Sequence, residues 1–146
     1  MSKETPDFHD AELIWKVYDI RREPVMRQSR DSINSKFFPR AYDDFIAVTK
    51  MDHPLNAAFR QTSSYWEMVY GMGRNGIVNA DYLIENNGEG LFLLAKVQPF
   101  LEQFRKEGSP VAFRNAEWIS TQCDEGRKRF AIIQQRVKKM SESMPK

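Results

Sequence analysis

The chain has 146 residues, the length of one domain, and can bury a core without disulfides or metal. With 41% apolar and 12% aromatic residues, it is too hydrophobic for a disordered chain. The net charge of +2 is unevenly spread: residues 125–146 hold seven Lys/Arg against two Glu, a net of +5, and residues 1–124 carry −3.

The periodicity is helical nearly throughout. From about Asp7 to Arg22, Glu12, Lys16, Asp19 and Glu23 make a polar face. Leu13, Ile14, Val17 and Tyr18, with Trp15 beside them, make a broad apolar one. Pro24 suits the first turn of a second helix, which Pro39 ends after about Phe38. A short helix is predicted over 42–50. A long one follows over 55–75, with Asn75-Gly76 as its C-terminal stop. Asn79 caps a short helix over 80–86. The segment 89–107 is apolar almost all round in its first half and is placed at the centre of the fold, with Pro99 expected to kink it. Lys96, its one interior charge, is expected to snorkel.

Ser109-Pro110 opens the last predicted helix. In it Ile119, Cys123, Gly126, Phe130, Ile133, Val137, Met140 and Met144 recur every three or four residues, a heptad seam. A continuous helix over 110–144 spans ~50 Å, beyond the ~15 Å radius of gyration of such a domain. Residues 126–146 are therefore expected to project or to lie along a partner. Gly126 in the seam marks either a close helix contact or a hinge.

The expected fold is an all-α bundle of six or seven helices in a single domain over 1–146, with a long C-terminal helix. The expected core is Trp15, Val17, Tyr18, Phe59, Trp66, Val69, Leu93, Leu94, Val97, Phe100, Leu101, Phe104, Trp118 and Ile119.

Three functional readings compete. The first is a non-enzymatic module that forms a homodimer through the heptad helix, using Ile119, Cys123, Phe130, Ile133, Val137 and Met140. The second is nucleic-acid binding by Arg127, Lys128, Arg129, Arg136, Lys138 and Lys139, which spread over the face opposite the seam. No aromatics interleave with these cations for base stacking. The third is an enzyme with a polar site around Glu67, Glu89 and Arg105. Glu67, on the polar side of its helix, and Glu89, at a helix N-terminus, also have ordinary structural explanations, and the third reading ranks last.

Other chemistries leave no trace. Cys123 is the single cysteine, and His9 and His53 lie far apart, so neither a disulfide framework nor a transition-metal site is expected. There is no phosphate-binding loop, dinucleotide fingerprint or nucleophile elbow, and no cofactor is expected. The longest near-apolar run, residues 90–95, is far short of the ~20 residues of a membrane helix. The polar N-terminus does not read as a signal peptide, so a cytoplasmic protein without a membrane partner is expected.

The run Tyr65-Trp66-Glu67-Met68, Gly76, Glu89-Gly90 and Arg105 resembles a family of uncharacterised bacterial all-helical proteins, a domain of unknown function, over about residues 55–120. That resemblance implies an all-helical fold and no assigned activity. Some members of the family carry an N-terminal membrane segment, which this sequence lacks, and the basic heptad tail has no match in the family.

Overall fold

The computed structural model describes residues 3–145, which form eight helices and no strand. They are α1 (Phe8–Arg21), α2 (Pro24–Lys36), α3 (Tyr42–Val48), α4 (Asn56–Arg74), α5 (Ala80–Asn86), α6 (Gly90–Lys106), α7 (Arg114–Gln122) and α8 (Asp124–Ser143). The all-helical expectation holds, and the eighth helix arises because the last one is interrupted. Cys123 adopts an extended conformation (φ −113°, ψ 129°) between α7 and α8.

Two helices organise the bundle. The α4 helix packs against α2 and α7, with α5 across one end. The α6 helix touches α2, α3, α4, α7 and α8, in keeping with its all-round apolar first half. Leu91, Leu93, Leu94 and Val97 are buried there beside Trp66, Val69 and Tyr70 of α4. Gly90 is demanded by this packing, since a Cβ on it would stand 2.6 Å from the Tyr70 hydroxyl oxygen and 2.7 Å from Trp66 Cγ. Pro99 sits inside a continuous α6, on its exposed side.

Several helix ends are closed by side chains distant in sequence. The amides at the start of α7 have no cap from Phe113, which is left-handed at φ 59°. Glu67 of α4 supplies it, accepting from Asn115 N at 3.1 Å and Ala116 N at 2.8 Å. At the start of α8, Asp81 of α5 accepts from Glu125 N at 3.0 Å and from Cys123 Sγ at 2.9 Å. The Cys123 hydrogen bond holds the Asp81 carboxyl below its usual range. At the C-terminus of α2, Lys96 Nζ donates to the carbonyls of Ile33 at 2.8 Å and Asn34 at 3.3 Å. The rings of Phe38 and Phe92 lie over the same nitrogen, with centroids at 4.0 and 4.4 Å. Lys96 is 3% exposed, so it does not snorkel.

The expected core needs two corrections. Trp15 is 70% exposed and Tyr18 is largely exposed, because α1 lies at the edge of the bundle and buries Asp10, Ile14 and Val17. Asp10 is buried because its carboxylate accepts from Lys3 Nζ at 2.8 Å and Asn79 N at 3.1 Å, joining the start of α1 to the start of α5. Phe100, Phe104 and Trp118 are partly buried against the core, and the other expected members are buried.

Candidate functional site

The heptad seam turns inward. Ile119, Cys123 and Phe130 are buried, and Ile133 and Val137 pack partly buried against the core. The helix breaks at Cys123, and both halves of the seam pack within one bundle, α8 lying mainly along α6. Gly126 of α8 meets Ile119 of α7 at close range. The α8 helix, 20 residues long, does not project. Gln134 ties it to Gln98 of α6 at 2.7 Å, and Arg40 Nη2 donates to the carbonyl oxygens of Ser141 at 3.2 Å and Met144 at 2.7 Å near its end. The predicted interface residues Ile119, Cys123 and Phe130 are therefore occupied by the chain's own core.

Beyond Phe130, α8 presents a partly open stripe that keeps Ile133 and Met140 of the seam and adds the residues beside them. Arg129, Ile132, Ile133, Arg136 and Met140 line a groove of about 810 Å³. Asn34 of α2, Glu85 of α5 and Phe92 of α6 contribute to its lining. Its apolar content includes Ile132, which is 61% exposed. Ile132 lies next to the seam residue Ile133, and helical periodicity assigned only the latter to an interface.

The charges of the groove sort into paired and unpaired groups. Glu89 forms a bidentate pair with Arg30, with both N–O distances at 2.6 Å, and this bond holds the Arg30 guanidinium above its usual range. Glu125 lies 3.8 Å from Lys128 and 3.5 Å from Arg129. Arg127, outside the groove lining, pairs with Asp124. Among the described residues, Glu85 and Arg136 are the groove charges with no opposite charge within 4.0 Å. Lys138 and Lys139, further round α8, are exposed and likewise unpaired among the described residues.

The three residues of the enzymatic reading are engaged separately. Glu67 caps α7, Glu89 holds Arg30, and Arg105 binds the Ala112 carbonyl at 2.8 Å and Glu117 at 3.1 Å. Each polar group is satisfied by its own structural partner. Among the described residues, no three His, Cys, Asp or Glu side chains gather as metal ligands, and no helix is long and apolar enough to cross a membrane. Burial and the Asp81 hydrogen bond push the Cys123 thiol up to about 12, which removes its thiolate at neutral pH.

The family model DUF4760, a domain of unknown function, matches residues 6–123, and the chain belongs to that family. The match takes in α1 through α7 and ends at the break before α8, so it extends well beyond the segment that carries the Trp66-Glu67 and Glu89-Gly90 resemblance. No curated protein and no solved structure matches the chain.

Proposed function

We propose that this chain is a non-enzymatic interaction module that self-associates through the groove along α8, which includes the seam residues Ile133 and Met140, and not through the buried Ile119, Cys123 and Phe130. The observation that carries this reading is a pair of groove charges of opposite sign, Glu85 and Arg136, both exposed and unpaired among the described residues. A two-fold interface requires a patch complementary to itself. In this reading Arg136 of one copy meets Glu85 of the other, and Ile132 is covered between them. The groove's remaining charges are mixed in sign, which suits a second copy of the same surface better than a uniformly charged partner. The separate structural engagement of Glu67, Glu89 and Arg105 supports the non-enzymatic part of the reading.

Nucleic-acid binding keeps a narrower basis. Arg127, Lys128 and Arg129 lie beside Asp124 and Glu125, which leaves Arg136, Lys138 and Lys139 as free cations among the described residues. Three phosphate contacts give modest, steeply salt-dependent affinity. Light scattering on the untagged protein, with absorbance at two wavelengths, separates the readings. A dimer with a protein-like spectrum that Ile132→Glu converts to monomer supports self-association. A monomer carrying salt-removable absorbance at 260 nm supports nucleic acid and contradicts it.

A further inference from the structure

On the far side of Asn86 from the α8 groove, α1 and α5 enclose a second cavity of about 380 Å³. Trp15 and Tyr18 form one wall, meeting edge to face with centroids 6.1 Å apart. Tyr82 of α5 forms part of the other. A tryptophan 70% exposed leaves a large apolar ring in water.

One polar group at this cleft is unspent. The Arg21 guanidinium rests over the Tyr18 ring, 5.3 Å from its centroid, and has no carboxylate within 4.0 Å among the described residues. No acidic side chain lines the cavity, which leaves Arg21 as its one formal charge. The size falls within the range of small-molecule sites, which are mostly apolar with a few placed polar groups.

We propose that this cleft binds a small planar aromatic carboxylate. The ring of the ligand lies against Trp15, and its carboxylate pairs with the planar guanidinium of Arg21. The site is built from α1 and α5 alone and does not rest on self-association through α8.

The test is titration of the protein, followed through its tryptophan side-chain N–H resonances, with Trp15 assigned by its loss in Trp15→Phe. The probes are benzoate and 4-hydroxybenzoate, each compared with its neutral amide. The expected result is a saturable shift of the Trp15 resonance by the acids, with the amides at least about tenfold weaker. In Arg21→Gln, whose backbone carbonyl still accepts from Arg30, acid and amide become equal. No shift up to about 5 mM acid overturns the proposal. Equal binding of acid and amide by the native chain also overturns it. So does a Trp15 resonance that moves with protein concentration alone, since a second copy would then cover the cleft. The Ile132→Glu variant binds the acids as the native chain does, which keeps this site separable from the α8 groove.

Discussion

Gly126 of α8 lies so close to Ile119 of α7 that a Cβ on the glycine would stand 1.9 Å from the Ile119 carbonyl oxygen. The neighbour is backbone and cannot rotate away. This contact fixes how α8 packs on α7, and so decides which stripe of α8 is buried. Alanine is the better helix former by about 1 kcal/mol, yet Gly126→Ala is expected to destabilise the protein by about 3 kcal/mol through overpacking. Urea unfolding at neutral pH measures the difference. A stabilised Gly126→Ala variant would contradict the contact.

Glu67 acts as a cap supplied from another helix. Replacing it with glutamine keeps one acceptor and removes the charge at the α7 N-terminus, at an expected cost of about 1 kcal/mol. Glu67→Ala leaves the Asn115 and Ala116 amides without their acceptor and is expected to cost about 2–3 kcal/mol. Denaturant midpoints of the two variants, with circular dichroism confirming the retained helix, check the order.

Lys96 links stability to pH. Burial pushes its amine down to about 7, against 10.5 for an ordinary lysine. Between these values the unfolded chain holds a proton that the folded chain releases, so this group makes stability rise as pH rises above 7. Below 7 both states are protonated and its contribution is level. Lys96→Met removes the rise. The difference between the thermal midpoints of the native chain and the variant is expected to shift steadily in favour of the native chain between pH 6 and 8.5. A constant offset across that window would contradict the assignment.

Cys123 is buried and hydrogen-bonded to Asp81, and its thiol is pushed up to about 12. It is expected to react with a disulfide reagent at pH 8 only after denaturant is added. Rapid reaction of the folded chain would mean that the α7–α8 break is open.

Helix existence was legible because the apolar spacing is long and regular from α4 to α6. The break at Cys123 was not, because it depends on Asp81 accepting from Cys123 and Glu125, more than forty positions away in sequence. The heptad seam is legible as an apolar stripe, of which Ile119, Cys123 and Phe130 are buried in the chain's own core. A one-dimensional pattern cannot distinguish a partner helix from the same chain packed on itself. Trp15 was assigned to the core on its apolar neighbours, although α1 buries only the narrow stripe through Asp10, Ile14 and Val17. Periodicity also missed Ile132, which stands beside Ile133 and lines the groove. Glu85 gives no signal in the sequence, since only the packing of α5 beside α8 brings it to the groove that Arg136 lines.

The most direct test of the account is a charge exchange across the groove, read by light scattering at tens of micromolar protein in low salt. The native chain is predicted to be a dimer. Arg136→Glu and Glu85→Arg should each shift it toward monomer, and the double variant should recover the dimer because the pair is restored in reverse. Both positions are exposed, so folding should be unaffected. A native monomer, or a double variant no better associated than either single one, would contradict the proposed interface.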